Sequence, residues 1–298
     1  MDILKSKVIV YGNCHTTAII NVLNNNPSFC ERYVIHPIPP IQNITDTGFF
    51  SKENFGDCDV FIHQSIQLNN RYGKEFASNN ILKLLKPECK VIAIPNVYHL
   101  PMCFFPQYEE ATPLREVRGR KATHFFRDAI IDEGYTQNNS VAEIAEKYQR
   151  EDLYDADEIK EEFRKFIEKV RMREKDWNIK ISDFINENFQ KRQLFYDPNH
   201  PTNFLLEYIA YKLLSELLGN EELKFEDVEG SCKTRMDSFE MPICECVKRA
   251  LDLQYGGGRT PPSYVLRELK RELRKCISKS TLISIYPESG QIAILVCG

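Results

Sequence analysis

The chain has 298 residues, a net charge of −4 and 42% hydrophobic residues, enough for one large or two modest domains. Its mild acidity gives no electrostatic case for nucleic acid, and no stretch approaches the roughly 20 apolar residues of a membrane span. The opening Met-Asp-Ile-Leu-Lys-Ser-Lys lacks the apolar centre of a secretory signal, so a cytoplasmic protein is expected, its 10 cysteines reduced and mostly in the core.

Residues 8–11 form an unbroken apolar run, the pattern of a strand buried on both faces. Gly12 and Asn13 break it, and Ala18, Ile19, Val22 and Leu23 then recur at helical spacing. Cys14 is therefore expected at the carboxyl end of a strand and the amino end of a helix. Open α/β sheets bind ligands there, and free N–H groups and the helix dipole favour an anion, either a phosphate or a cysteine thiolate. The alternative is a plain turn with Cys14 as a small buried filler.

Further strands are expected at 33–36, 59–63 and 91–94, with helical spacing over 76–85. Such alternation predicts a parallel sheet with crossover helices. Parallel strands end on one edge, so Asn13 with Cys14, Gln64 with Ser65, and Asn96 should converge. Residues 98–108, rich in aromatics and proline, read as a loop lining a cleft. Arg115, Arg118, Arg120, Lys121 and Arg127 read either as a solvated face or as a phosphate clamp. A short helix is expected over 141–148, and the longest begins near Asp157. Residues 194–203 form a loop, and Thr202 caps an apolar helix over 204–218 that Gly219 stops.

Beyond residue 222 the character changes, which divides the chain into an α/β domain of residues 1–221 and a mostly helical extension of 222–298. Cys232, Cys244 and Cys246 lack zinc-ligand spacing, so no metal is expected. Residues 256–259 read as a linker and 282–296 as two short strands. A basic amphipathic helix over 264–276 could pack on the core, meet a partner or touch an anionic membrane surface. Nothing in the sequence sets the oligomeric state.

Neighbours on a helix do not face each other, so a nucleophilic Cys14 needs a base other than His15. His200 is the candidate, with Asp197 placed three residues earlier to hold one ring nitrogen and fix the tautomer. Without that role, Asp197 is a turn-former before Pro198 and His200 a satisfied loop histidine.

The late Asp-x-x-His, after an early Gly-x-nucleophile turn, resembles the SGNH hydrolase superfamily, with cysteine where that superfamily has serine. A more specific set of motifs occurs in order: Val-Ile-Val-Tyr-Gly-Asn-Cys-His at 8–15, Asp-Val-Phe-Ile-His-Gln at 59–64, Val-Ile-Ala-Ile-Pro-Asn-Val-Tyr at 91–98, Arg127-Asp128 with Ile130, and Asp-Pro-Asn-His-Pro-Thr-Asn at 197–203. Over residues 7–219 these resemble the WcbI-type polysaccharide biosynthesis family of acetyltransferases. The resemblance implies an open, mainly parallel, SGNH/Rossmann-like three-layer α/β fold. It also implies coenzyme A or acetyl-coenzyme A as ligand and acetylation of a capsular or other surface saccharide. Cys14 and His15 inherit the family's Cys-His role, and His200 with Asp197 the superfamily's base. Gly12, Asn13, Gln64, Asn96, Lys121 and Arg127 are read as cofactor-binding, with Gly12, Asn13 and Gln64 as oxyanion donors. Two other readings remain: a thiol esterase with water as acceptor, and a non-catalytic coenzyme A-binding module that needs no Cys14–His200 contact.

Overall fold

The computed structural model describes residues 4–97, 101–110, 126–219, 222–234, 240–256, 281–285 and 292–296. It divides into two compact units, one of Met1–Leu100, Ile167–Phe189 and Leu194–Glu240, the other of Pro101–Phe166, Gln190–Gln193 and Met241–Gly298.

The first unit is built on four parallel strands: β1 (Ser6–Tyr11), β2 (Tyr33–Ile35), β3 (Val60–Gln64) and β4 (Lys90–Ile94). Their order is β2-β1-β3-β4, so the direction of winding reverses between β1 and β3. Crevices for ligands open at such a reversal, beyond the carboxyl ends of the strands. The register places Tyr11 beside His63 and His63 beside Ala93, which brings the ends of β1, β3 and β4 level. Alternation along the strands puts Ile9, Tyr11 and Phe61 on one face, packed with Ile41, Phe55, Phe76 and Ile81. The helix α1 (His15–Asn24) packs against the Asn203–Leu218 helix. That second helix buries Leu205, Leu206, Ile209, Leu213 and Leu214, and Gly219 ends it in the left-handed region at φ 62°.

The helical spacing over 76–85 yields three short pieces instead of one helix: Lys74–Phe76, Ser78–Ile81 and Leu82–Leu84. Ala77 is extended, and the Ser78 hydroxyl bridges the Gln64 carbonyl and the Ile66 N–H. A polar tie of this kind competes with helical continuation. Residues 194–203 are likewise more ordered than a loop. Phe195–Asp197 and His200–Pro201 pair as a small antiparallel hairpin.

In the second unit, Tyr108–Glu110 pairs antiparallel with Phe126–Asp128, and Thr281–Ile285 pairs with Ile292–Val296. Cys103, Phe104 and Phe105, expected to line a cleft, are buried, with Phe104 edge-on to Phe163 and Phe166. Asp128 accepts from the Ile130 and Ile131 N–H groups and from the Tyr148 hydroxyl, so this motif residue braces the helix start at Ala129–Thr136. Among the described residues no helix is long and apolar enough to cross a membrane, and no group of three or more His, Cys, Asp or Glu could hold a metal. The basic helix expected over 264–276 lies outside the described residues.

Candidate active site

The turn after β1 explains why Gly12 and Asn13 stand where they do. A Cβ on Gly12 would sit 2.5 Å from Gln64 Oε1 and 2.8 Å from Thr16 Cγ2, so only glycine admits the Gln64 side chain here. Gln64, 1% exposed, accepts from the Asn13 N–H at 2.8 Å and donates to the Pro95 carbonyl at 3.3 Å. It braces the ends of β1 and β4 against β3. Asn13 closes the turn. Its side-chain oxygen accepts the His15 N–H, and its carbonyl accepts the Thr16 N–H and hydroxyl. The first N–H groups of α1 are thus occupied within the turn, and the Asn13 N–H is held by Gln64. Asn96, half-buried, follows Pro95 at the end of β4.

Cys14, half-buried, caps α1 with αR backbone and makes no side-chain cap bond. It lies close enough to the His200 imidazole to act on its charge. On the other side of that ring, His200 Nδ1 lies 2.8 Å from Asp197 Oδ2, while Asp197 Oδ1 accepts from the Asn199 and His200 N–H groups at 2.6 and 3.0 Å. Cys14, His200 and Asp197 thus bring a thiol, an imidazole and a carboxylate near one another. Burial alone would lower His200, but the hydrogen bonds and charges of Asp197 and Cys14 outweigh it and push the imidazole up to about 10.

His15 is 1% exposed, and its Nε2 lies 2.7 Å from the Asn199 carbonyl. A carbonyl only accepts, so Nε2 carries the proton and Nδ1 is a bare acceptor, buried and, among the described residues, without a hydrogen-bond partner. Burial pulls His15 down to about 4, with the Asn199 bond acting the other way. Its ring meets His200 edge-on at 6.3 Å. His15 thus supports the hairpin that carries His200. Nothing local announces this contact, because 184 residues separate the partners. Of the remaining residues assigned to the ligand, Lys121 lies outside the described residues with Arg115, Arg118 and Arg120, and Arg127 pairs through its backbone with Glu109.

A scan of protein families matches the polysaccharide biosynthesis enzyme WcbI family over residues 7–222. The chain belongs to that family. A solved structure of WcbI, described as a novel polysaccharide biosynthesis enzyme, superposes with a TM-score of 0.73 at 18% identity over 91% of both chains. That structure is of the native protein without a disulfide bond between coenzyme A and its own Cys14. The likeness extends the shared α/β fold beyond the family match. No curated protein matches.

Proposed function

We propose that the enzyme transfers an acetyl group from acetyl-coenzyme A to a saccharide hydroxyl, with Cys14 as nucleophile and His200 as proton carrier. The observation that carries this is the Asp197–His200 pair with Cys14 close enough to act on its charge, a line assembled from two segments remote in sequence. A binding module has no need of that line.

Coenzyme A as ligand rests on the solved WcbI structure, whose description couples coenzyme A to a cysteine of that protein. The residues here suit the same chemistry: a half-buried cysteine sulfur at a strand end, beside an imidazole, with the buried His15 Nδ1, unpartnered among the described residues, nearby. When bound, acetyl-coenzyme A supplies an activated acyl carbon and a thiol leaving group.

The remaining chemistry belongs to the chain. A cationic His200 has a proton to give to a departing thiolate. When the sulfur becomes a thioester, one of the two causes of the raised imidazole disappears. His200 can then take the proton of an acceptor hydroxyl as its oxygen attacks the thioester carbon, and Cys14 leaves as thiolate. Asp197 keeps the ring oriented throughout, and His15 fixes the hairpin through Asn199.

The test is acid-quenched mass spectrometry after mixing with acetyl-coenzyme A. Cys14 alone should carry one acetyl group, and His200→Gln should slow its appearance by about 10²–10⁴-fold. Release to water in the absence of sugar would instead favour the thiol esterase. A chain that binds coenzyme A yet acylates no residue would remove the covalent route.

A further inference from the structure

The second unit carries two cysteines two residues apart, Cys244 and Cys246, at the start of the Glu245–Ala250 helix. The Glu245 N–H bonds the Tyr148 carbonyl at 3.0 Å, which ties this turn to the end of the Val141–Lys147 helix. With Glu245 helical, helix geometry sets the two Cα atoms about 5.4 Å apart, inside the span that a disulfide bridges. Helical residues at this spacing point apart, but Cys244 is the N-cap and its ψ of 146° is extended. Its side chain is therefore free of the helical direction, and each thiol is close enough to the other to act on its ionisation.

The surroundings of the two sulfurs differ. Cys244 is fully buried and donates to Gln107 Oε1 at 3.7 Å, an acceptor that keeps its proton in place. The charge of Asp128 acts in the same direction. Cys246 instead lines a cavity of about 560 Å³, a volume within the range of small-molecule sites. Lys160 and Arg249 line it too, paired with Asp157 and Glu151, and so do Asp152 and Asp155. A wall with both signs of charge suits a zwitterionic, amino-acid-derived compound. Cys244 holds the Cys246 thiol below its ordinary value against the effect of burial, whereas Cys246 and burial together hold Cys244 well above. One sulfur thus stands as a thiolate at a cavity, with a protonated partner behind it.

We propose that Cys244 and Cys246 form a thiol–disulfide exchange site, where a small zwitterionic disulfide entering the cavity is reduced and the cysteine pair is oxidised. The Cys246 thiolate attacks one sulfur of the small disulfide, forms a mixed disulfide and expels the other half as a thiolate. Cys246 is then uncharged, so the largest cause of the raised Cys244 thiol is gone. Cys244 gives its proton to the expelled thiolate and attacks the Cys246 sulfur. A Cys244–Cys246 bond forms, the mixed disulfide breaks, and the second half leaves as a thiolate. Two electrons pass from the pair to the small disulfide, which ends as two thiols once water returns the proton that Cys246 had released. No acyl transfer enters, so the proposal is independent of the reading above.

Glutathione disulfide is the probe, mixed with the native full chain near neutral pH, quenched with acid and followed by peptide mass spectrometry. The wild type should end with a Cys244–Cys246 disulfide and no glutathione on either residue. Cys244→Ser should stop at one glutathione on Cys246. In Cys246→Ser, modification of Cys244 should be slower by about tenfold than that of Cys246 in Cys244→Ser. Where thermal melting shows that a variant does not fold, the wild-type time course decides, because glutathione should appear on Cys246 before the internal bond. Three results would each overturn the proposal: a native chain in which neither cysteine reacts, glutathione on Cys244 first, or a mixed disulfide at Cys246 that Cys244 never displaces.

Discussion

Two carboxylates of the first unit hold their surroundings in nearly the same way. At the 195–201 hairpin, Asp197, 5% exposed, takes the N–H groups of Asn199 and His200 on one oxygen and the His200 ring on the other. At residues 174–182, Glu174, 7% exposed, takes the N–H groups of Ile181 and Ser182 on one oxygen at 2.5 and 2.6 Å. Its other oxygen takes the Ser182 hydroxyl at 2.7 Å. Both brace a change of chain direction by satisfying backbone donors that burial would otherwise strand. They differ in the group held by the second oxygen. A serine hydroxyl keeps its proton at any physiological pH, whereas an imidazole can carry or release one. The brace is a structural device, and at Asp197 alone of these two the group it holds can titrate.

Substitution at the two carboxylates should separate these roles. Asp197→Asn keeps an oxygen for the two N–H groups but turns an amide toward Nδ1. Acylation of Cys14 should fall by about 10³-fold, roughly 4 kcal/mol in the barrier. A large loss of stability with normal acylation would make Asp197 a mere turn-former.

The next effect concerns the two histidines, which respond to pH in opposite directions. His15 has a folded value of about 4, below its ordinary 6.5, so its neutral burial contributes stability that is present above 6.5 and lost as pH falls through about 4. The loss should be on the order of 3 kcal/mol by urea titration, and His15→Gln should flatten that limb. His200 is raised to about 10, so its contribution is present below 6.5 and lost as pH rises through about 10. An acid limb unchanged by His15→Gln would place the loss elsewhere.

Glu174→Gln should cost about 1–3 kcal/mol in urea denaturation while acylation stays within twofold. A catalytic defect there would dissolve the distinction between the two braces. The smallest effect is expected at Glu162, whose bond to Lys165 at 2.9 Å is exposed on the Ala156–Arg173 helix. Glu162→Gln should leave the denaturation midpoint and acylation unchanged within error.

What the sequence determined by itself was local. The apolar run of 8–11, the Gly-Asn break and the helical spacing that follows set Cys14 at a strand-to-helix turn, since backbone preference and side-chain period act over a few residues. Gly219 as the helix stop and the three-residue step from Asp197 to His200 are of the same kind. The meeting of Cys14 with His200, the Asn199 carbonyl on His15 and the engagement of Gln64 at two strand ends were decided by the tertiary structure. So was the division of the helical spacing over 76–85, where the Ser78 hydroxyl is claimed by the end of β3. Each depends on which strands lie side by side and where their ends fall. The order β2-β1-β3-β4 arises from burying all the apolar faces at once, and no local period encodes it.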